Sequence, residues 1–458
     1  AYLVKEHPNL YAILLTHHGC GPDTALSHYF REIMADKPYL QIEVDEHSSG
    51  VGVTTRLEAF VNSLNAVETH RSADPDTYVQ KVCHHNVNII KTLKELKRET
   101  TLYLPHLSPY AEIIQATLSR SGIQARVLPE TNAASIEIGR HYTMTNEYFS
   151  LTALLGDVFK ALRAPGCSED GLAVLIPQTE GAEVDGQYHR ILRTKLDEEG
   201  LQHVDILAPF LEDALHQDEN AVQSLFWGVL AGDLIRIAPG KERDRYLQTV
   251  RQLITHHRLD RETLKGIAKT IAQTLRVMPS QKRILVIGEP LIIYNDFLND
   301  YTFRALEEQG HCVVYASLSE ALWLFWRDYV DQNKNNQTAA FRPLLDTFQT
   351  SLREISACLS EASPFEQELD QLFTRADHTV GYYSGAFGRY RAAKSLGTLP
   401  EIDGIITATS TYENTGISLN VLHKGFAGEQ SKPILHLTFD GNKNENDETK
   451  IQSFLYYL

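Results

Sequence analysis

The chain has 458 residues, of which 43% are hydrophobic and 22% charged, a composition typical of a globular protein with several domains. Its formal net charge of −16 argues against nucleic-acid binding, because a surface that binds phosphates needs concentrated Lys and Arg. No stretch reaches the roughly 18 consecutive apolar residues of a membrane-spanning helix. We therefore expect a cytoplasmic protein that binds neither nucleic acid nor membrane.

The N-terminal segment is predicted to contain two strands, each followed by a helix. AILLTHHGCGPD (Ala12–Asp23) combines an apolar strand with a glycine-containing loop that leads into a helix. KPYLQIEVDEHSSGVGVTTRLEAFVNSL (Lys37–Leu64) contains a strand with an acidic tip at Asp45, a polar loop and a second helix.

This pattern recurs at the C-terminal end of the chain, in GIITATSTYENT (Gly404–Thr415) and KPILHLTFDGNKNENDETKIQSFLYYL (Lys432–Leu458). The two blocks agree at Lys37–Pro38 and Lys432–Pro433, Asp45 and Asp440, Thr55–Arg56 and Thr449–Lys450, and Phe60 and Phe454. We therefore expect two structurally equivalent blocks, the first being the tail of a unit that begins before Ala1. A chance likeness between two common α/β patterns is the alternative.

Between the two blocks, apolar strands alternate with amphipathic helices, which indicates parallel sheets covered by helices on both faces. The predicted strands are Thr100–Pro105, Gln124–Pro129, Gly171–Gln178 and Val204–Pro209, and the predicted helices are Tyr110–Ser121 and His189–Glu199. Glu212–Ser280 is predicted to be helical, most clearly at Arg243–His257 and Asp260–Leu275.

A further α/β block opens with RILVIGEP (Arg283–Pro290), is interrupted by helical sequence from Leu318 to about Ala393, and resumes at Ile402–Ala408. The polar stretch DQNKNNQ (Asp331–Gln337) is predicted to be a mobile loop. These boundaries divide the chain into a first unit's tail at 1–70, an α/β domain at 71–210, a helical segment at 211–280 and a C-terminal α/β domain with a helical insert at 281–458.

Ligands of open parallel sheets bind at the carboxyl ends of the strands, where the N-termini of helices offer unpaired N–H groups. The loops at this edge follow Leu15, Val44, Ile176, Ile287, Ala408 and Phe439. None of them carries a phosphate-binding GxxxxGK[ST] or GxGxxG pattern, a GxSxG nucleophile turn or a zinc-binding HExxH helix. The sequence therefore predicts no nucleotide site of the familiar kinds.

The loop HHGCGPDT (His17–Thr24) contains two glycines, the thiol of Cys20, and Asp23 in position to cap the next helix. Thiols at helix N-termini ionise more readily than free thiols, which makes them better metal ligands or nucleophiles. The alternative is a tight strand-to-helix turn that needs glycine and carries a cysteine without function. The five cysteines form no CxxC pair, so we expect no disulfide framework.

Four stretches match recognisable motifs. GCGPD with the following Lys37–Phe60 combines a cysteine loop, an acidic DEH strand end and a TRLEAF helix. The other three are GRHYTMTNEYFSLTALLGDVFK (Gly139–Lys160), PQTEGAEVDGQY (Pro177–Tyr188) and ILVIGEPLIIYNDFLNDYTFRALEEQG (Ile284–Gly310). Together they resemble the 2-hydroxyacyl-CoA dehydratase and acyl-CoA dehydratase activase-related family, over almost the whole chain.

The resemblance implies several Rossmann-like parallel-sheet α/β domains with helical inserts, arranged as repeated dehydratase-like units. It also implies a [4Fe–4S] or double-cubane iron–sulfur cluster on cysteine ligands. Electrons would come from an actin-like ATPase activator, fused upstream or separate, and the best-known reaction is radical dehydration of a 2-hydroxyacyl-CoA thioester. The chain would correspond to the C-terminal dehydratase-like region of the large members.

The sequence departs from the family pattern at the cysteines. Tyr148 stands at the cysteine of the pattern GRxYTxGKEC, Glu183 at that of GPCRFG, and Tyr412 opposite Cys20 in the repeat. Only Cys20 matches a motif cysteine, and a cluster commonly takes four thiolates. The resemblance therefore allows a cluster through Cys20 only with ligands from outside this chain, and we expect none in the second unit.

Several other positions of the motifs are retained. Their functional interpretation is an interdomain pocket for an acyl-CoA or another thioester-type ligand. The alternative is that they cap helices and bridge domains. The candidates are Arg140, Tyr142, Thr143, Glu147, Gln187, Tyr188, Glu289, Asn295 and Asn299.

Two hypotheses of function follow. The first is a dehydratase-like region that serves ATP-dependent low-potential electron transfer, or the reduction of CoA-thioester-type substrates, in anaerobic metabolism. The second is a cluster-free scaffold or binding module that holds a ligand or a partner without catalysis.

Overall fold

The structure of the chain is a computed structural model. Parallel sheets flanked by helices run through it, so the predicted α/β class is confirmed. The described residues are 1–16, 21–44, 48–67, 89–97, 99–144, 147–164, 171–179, 184–277, 282–333, 336–360, 363–366, 368–381, 387–396, 402–426, 432–442 and 444–458. Within them, no helix is both long enough and apolar enough to cross a bilayer.

The N-terminal segment forms a two-stranded parallel sheet with flanking helices. Its elements are α1 (Tyr2–Glu6), β1 (Ala12–Thr16), α2 (Gly21–Met34), β2 (Tyr39–Glu43) and α3 (Gly50–Val67). The buried Lys37 precedes β2, and its Nζ donates to the carbonyl oxygens of Val4 and His7 at the end of α1. A cation at this position satisfies carbonyls that the helix leaves free.

The next block forms a five-stranded parallel sheet in the order β3-β7-β6-β4-β5. Its strands are β3 (Ile89–Ile90), β4 (Thr101–Leu104), β5 (Ala125–Val127), β6 (Leu172–Leu175) and β7 (Asp205–Leu207). Its helices are α4 (Tyr110–Arg120), α5 (Ala133–Arg140), α6 (Phe149–Leu162) and α7 (Tyr188–Glu198). The strands are apolar runs because both faces of the sheet are covered.

Two glycines allow α5 and α6 to pack with their backbones in contact. A Cβ on Gly139 would lie 1.9 Å from the carbonyl oxygen of Thr152, and one on Gly156 would lie 1.7 Å from that of Ser135. α6 is buried on almost every side, which explains why its sequence is apolar all round. The glycines of the motif at 139–160 therefore serve helix packing.

The C-terminal sheet is parallel, with the order β11-β10-β8-β9. The helical segment before it contains α8 (Glu219–Ile237), α9 (Arg243–Thr255) and α10 (Arg261–Val277). The sheet and its insert consist of β8 (Arg283–Gly288), α11 (Pro290–Ile293), α12 (Thr302–Glu308), β9 (Cys312–Tyr315), α13 (Leu318–Gln332), α14 (Asn336–Ala339), α15 (Arg342–Leu359), α16 (Leu369–Val380), α17 (Phe387–Leu396), β10 (Gly404–Ser410), α18 (Asn414–Phe426), β11 (Ile434–Phe439) and α19 (Glu445–Tyr457).

The helical segment and the helical insert share one hydrophobic core, although they are separated in sequence by β8 and β9. Phe226 of α8 stacks on Phe348 of α15 with ring centroids 4.0 Å apart, and Trp326 of α13 lies beside both rings. Large aromatic surfaces of this kind dominate the energetics of a core. The two stretches therefore form one helical layer against the sheet.

The predicted strands and helices between Thr100 and Leu275 are confirmed, with ends within three residues of the prediction. The two repeat blocks have the expected strand–helix–strand–helix order, and each strand pair is parallel. Asp440 directly follows β11, whereas Asp45 lies outside the described residues. The loop predicted over Asp331–Gln337 is wrong at both ends, because these polar residues finish α13 and begin α14.

Candidate functional site

The strand order of the C-terminal sheet reverses between β8 and β10, because the chain passes from β8 to β9 on one side and returns to β10 on the other. Open α/β sheets usually bind ligands in the crevice at this point. Glu289 directly follows β8, and Ser410 is the last residue of β10. Oε2 of Glu289 accepts hydrogen bonds from Ser410 Oγ at 2.6 Å and from Ser410 N at 3.2 Å.

The N-terminus of α6 packs against this crevice from the five-stranded domain. The phenol of Tyr148 donates to Oδ1 of Asn414 at 2.5 Å. The backbone N–H of Ser150 donates to Ser410 Oγ at 3.3 Å. The site is therefore formed jointly by the two larger α/β domains.

Tyr188, the first residue of α7, extends the hydrogen-bonded chain. Its hydroxyl lies 2.9 Å from Ser150 Oγ. Burial, together with the nearby carboxylate of Glu289, raises the pKa of Tyr188 well above its usual value, so the phenol keeps its proton. Hydrogen bonds therefore link Glu289, Ser410, Ser150 and Tyr188 in series, with Ser150 using its N–H towards Ser410 and its hydroxyl towards Tyr188.

Two more carboxylates and one guanidinium lie beside this chain. Arg391 Nη1 and Glu413 Oε1 form a buried ion pair at 2.7 Å, and Glu413 Oε2 also accepts from the N–H of Gly416 at 3.0 Å. Asp185 accepts from Thr179 Oγ1 at 3.3 Å. Burial raises the pKa of Asp185, and the positive charge of Arg391 opposes this shift.

Carboxylates outnumber positive charges in this cluster, since Asp185, Glu289 and Glu413 lie around Arg391. Burial raises the pKa of Glu289 to about 7, and repulsion from Glu413 acts in the same direction. Glu289 therefore exists as both carboxylic acid and carboxylate near neutral pH. A group with this property can donate or accept a proton under physiological conditions.

Of the nine residues predicted to line a pocket, Tyr188 and Glu289 meet in this cluster. Gln187 lies next to Tyr188 as the N-cap residue of α7 and is half-buried. A role of these residues in ligand binding stays a prediction.

Glu147 joins the five-stranded domain to the N-terminal segment. Its Oε1 lies 3.1 Å from Nδ1 of His28 in α2, and both side chains are buried. Its Oε2 accepts from the backbone N–H of Met144 at 2.7 Å. Glu147 thus connects the five-stranded domain to the N-terminal segment.

Asn295 and Asn299 form a second set of buried contacts. Nδ2 of Asn295 donates to Thr131 Oγ1 at 2.9 Å, and Thr131 in turn donates to Asp157 Oδ2 at 2.6 Å. Nδ2 of Asn299 donates to the carbonyl oxygens of Ile292 at 2.9 Å and Asn295 at 3.0 Å. These contacts bridge the two domains and hold the turn after α11.

The remaining candidates lie at the end of α5. Arg140 is exposed. The ring of Tyr142 stacks on Phe159 with centroids 4.0 Å apart, and Thr143 Oγ1 lies 3.0 Å from Thr152 Oγ1. All these contacts belong to the α5–α6 packing.

Cys20 and Glu183 lie outside the described residues. β1 ends at Thr16 and α2 begins at Gly21, so the residues between them connect the carboxyl end of a strand to the N-terminus of a helix of 14 residues. The predicted position and role of Cys20 therefore stay predictions.

Three of the stretches that were singled out in the sequence contact one another in the structure. Tyr148 hydrogen-bonds Asn414, two residues beyond Tyr412. Asp185 lies two residues beyond Glu183. It interacts electrostatically with Glu413, the residue that follows Tyr412. Three stretches far apart in sequence therefore meet at one interdomain position.

The described side chains at this position do not fit an iron–sulfur cluster. They are a phenol, an amide and carboxylates, and they contact other groups of the protein, whereas a cluster requires several thiolates. Within the described ranges, no three or more His, Cys, Asp and Glu side chains are grouped to hold a metal ion. Cys312 and Cys358 are free thiols elsewhere in the fold.

Sequence reasoning did not single out five members of the cluster, namely Ser150, Asp185, Arg391, Ser410 and Glu413. The rule that ligands bind at carboxyl strand ends pointed to the residues after Ala408, which include Ser410 at the end of β10 and Glu413 beyond it. The other three lie on helices or turns of distant segments, where no local pattern marks them.

Comparison of the chain with protein-family models gave no match, and comparison with curated proteins gave none.

Proposed function

We propose that this chain is the dehydratase-like region of an activase-related protein, and that its second unit is a binding module without a cluster of its own. The supporting observation is the meeting of the three motif segments at one interdomain position. Tyr148 and Asn414 are 266 residues apart in sequence and share a hydrogen bond of 2.5 Å. Motifs that form one ligand site must converge in this way.

The chemistry at this position favours binding over redox catalysis. Tyr148 and Asn414 have no thiol, and Glu413 is already paired with Arg391. The nearby carboxyl of Glu289 has a pKa of about 7, so it offers a hydrogen-bond donor in its acidic form. A thioester carbonyl accepts hydrogen bonds, and the ligand class that we assign to the crevice is therefore an acyl-CoA or related thioester.

The proposal includes an actin-like ATPase activator, fused upstream or separate, as the protein partner. It also includes a cytoplasmic location. Five cysteines without paired spacing are usual in the reducing cytoplasm and unusual in small disulfide-bonded secreted domains.

Anaerobic purification followed by iron and sulfide analysis, with titration calorimetry using acetyl-CoA, tests this proposal. We expect a colourless protein that binds acetyl-CoA saturably, and weaker binding by Ser410→Ala, since Ser410 lies at the carboxyl end of β10. Ser63→Ala, in the exposed part of α3, is the matched control. About one four-iron cluster per chain would overturn the cluster-free assignment. Equal binding by both serine variants would overturn the assigned crevice.

A second candidate function is electron transfer through a cluster that Cys20 shares with thiolates from outside this chain. The observation in its favour is that Cys20 directly precedes, in the sequence, Gly21, the first residue of α2. Cys20→Ser should then abolish visible absorption and bound iron after anaerobic reconstitution with a partner activator. Cys358→Ser, a free thiol in α15, should leave both unchanged.

A further inference from the structure

A cavity of about 440 Å³ lies at the opposite edge of the C-terminal sheet from Glu289. Its wall includes Arg283 and Cys312, the first residues of β8 and β9, whereas Glu289 follows the carboxyl end of β8. The ends of α8 and α15 and parts of α10 and α12 complete the wall. The cavity is therefore separate from the site of the proposed function.

Three arginines line this cavity, and Glu307 is the single carboxylate among its described lining residues. Arg243 holds Glu307 in a two-pronged ion pair, with Nη1 at 2.9 Å and Nη2 at 2.5 Å from the carboxylate oxygens. Among the described lining residues, Glu307 is the one carboxylate, and it is paired with Arg243 rather than with Arg276 or Arg283. The described lining residues thus carry more positive than negative charge.

Ser360 and Cys312 contact these arginines, and His311 adds a further polar group to the wall. Arg276 Nη2 donates to Ser360 Oγ at 3.2 Å, and Arg283 lies beside the thiol of Cys312. Nδ1 of His311 is buried and has no hydrogen-bond partner in the described part of the chain. Burial lowers the pKa of His311, so the ring is neutral and can donate from one nitrogen.

The sign of the charge along this cavity differs from the sign of the net charge of the chain. The chain has a formal net charge of −16, whereas the described lining of this cavity contains three arginines and one carboxylate. A concave site with one sign of charge and low-dielectric walls concentrates the field that an approaching ion experiences. Arginine also matches the oxygens of a phosphate in a two-pronged geometry.

The remaining wall is apolar and includes Ile237, Leu275, Val313 and Leu359. Ligand sites typically have volumes of roughly 300–1,000 Å³ and combine apolar walls with a few convergent polar groups. An inorganic ion alone would leave this apolar surface uncovered. The volume and the lining fit a ligand with a charged head and an apolar or aromatic body.

We propose that this cavity binds a small organic phosphate of nucleotide size. The phosphate lies between Arg276 and Arg283, within reach of His311, and the organic part contacts Leu275 and Leu359. This site is independent of the acyl-CoA crevice, and binding at one does not require the other.

Titration calorimetry with AMP tests the proposal, with inorganic phosphate and octanoate as the comparison ligands. We expect one saturable AMP site, weaker binding of phosphate, and no binding of octanoate. Arg276→Gln and Arg283→Gln should each weaken AMP binding by about tenfold or more, the effect of losing one charge-assisted hydrogen-bond pair. Arg56→Gln removes the same charge from α3 and should bind AMP as the unmodified chain does.

A second measurement on the unmodified chain covers the case in which a variant fails to fold. Bound AMP should slow the alkylation of Cys312 in the cavity wall and leave that of Cys358 unchanged, as mass spectrometry of the peptides would show. Three results would overturn the proposal: no AMP binding, equal affinity of the Arg276→Gln and Arg283→Gln variants and the unmodified chain, or octanoate binding in place of AMP.

Discussion

Ser410 donates a hydrogen bond of 2.6 Å to Glu289, and the two residues end neighbouring strands on either side of the point where the strand order reverses. The N–H of Ser150 donates to the same hydroxyl from the five-stranded domain. A change in the charge of Glu289 therefore acts on the contact between two domains.

The first prediction concerns the pH dependence of stability. Burial raises the pKa of Glu289 from 4.5 to about 7, so the folded chain binds this proton more tightly than the unfolded chain does. Protonated Glu289 therefore contributes to the free energy of unfolding. This contribution is complete below about pH 4.5 and is lost as the pH rises through about 7. In Glu289→Gln the side chain at this position is uncharged at every pH. Between pH 5 and pH 8, the free energy of unfolding of this variant should therefore rise by on the order of 2 kcal/mol relative to that of the unmodified chain.

Urea unfolding at several pH values measures this difference, and comparison of the two proteins removes the contributions of titrating groups that do not interact with Glu289. Glu308→Gln is the matched control, because the Glu308 side chain is 68% exposed. A constant difference between Glu289→Gln and the unmodified chain from pH 5 to pH 8 would contradict the prediction.

The second prediction concerns the buried ion pair of Arg391 and Glu413. Arg391→Met leaves the carboxylate of Glu413 buried without its cation, which should lower the free energy of unfolding by about 3–5 kcal/mol. The double variant Arg391→Met/Glu413→Gln should recover part of this loss. Arg342→Met breaks an exposed pair with Asp331 and should cost less than about 1 kcal/mol. Chemical unfolding measures both variants. Similar losses of unfolding free energy for Arg391→Met and Arg342→Met would contradict the burial of the Arg391–Glu413 pair.

The third prediction concerns the contact between α5 and α6. Gly156→Ala places a Cβ 1.7 Å from the carbonyl oxygen of Ser135, so the helices must separate, and we expect destabilisation of about 1–3 kcal/mol or more. Gly266→Ala in α10 meets no atom within 4 Å and should stabilise the protein by about 0.5–1 kcal/mol. Thermal unfolding should show a lower melting temperature for Gly156→Ala and a higher one for Gly266→Ala than for the unmodified chain. A stable Gly156→Ala variant would show that the helices do not approach this closely.

The fourth prediction concerns the contact between the N-terminal segment and the five-stranded domain. His28→Ala removes the partner of the buried Glu147, at a cost of about 1–3 kcal/mol to the local structure. Hydrogen exchange should become faster in α2, with little change in β8 and β10. His141→Ala, at an exposed position, should alter neither region. Unchanged exchange in α2 of the His28→Ala variant would mean that other contacts hold the segment.

Local sequence patterns predicted the elements well where they were strong. Apolar runs bounded by Gly or Pro became β4, β6 and β7, and the amphipathic pattern before Gly122 became α4. The polar run Asp331–Gln337 was predicted to be a loop, yet its two ends are helical. Helical propensity alone is a weak guide there, because packing of the neighbouring turns decides where a helix ends.

The candidate site was predicted only in part, and the reason is distance along the chain. Glu289 and Tyr188 belong to recognisable motifs, but Arg391 lies on a helix of the insert and Ser150 on α6. Their contacts depend on how two domains pack together. Hydrogen bonds and ion pairs between distant segments leave no periodic signal in a sequence.

The sequence by itself determined the α/β class, the parallel strands, the repeated strand–helix–strand–helix block and the carboxyl strand ends where a site was to be sought. These features follow from patterns within about 20 residues, in which side-chain periodicity and turn residues act locally. Only the tertiary structure decided that Tyr188 and Glu289 meet, that Glu147, Asn295 and Asn299 lie in other buried contacts, and that Glu289 has a pKa of about 7. Burial and the approach of charges from distant segments set that pKa, and both arise only when the domains pack.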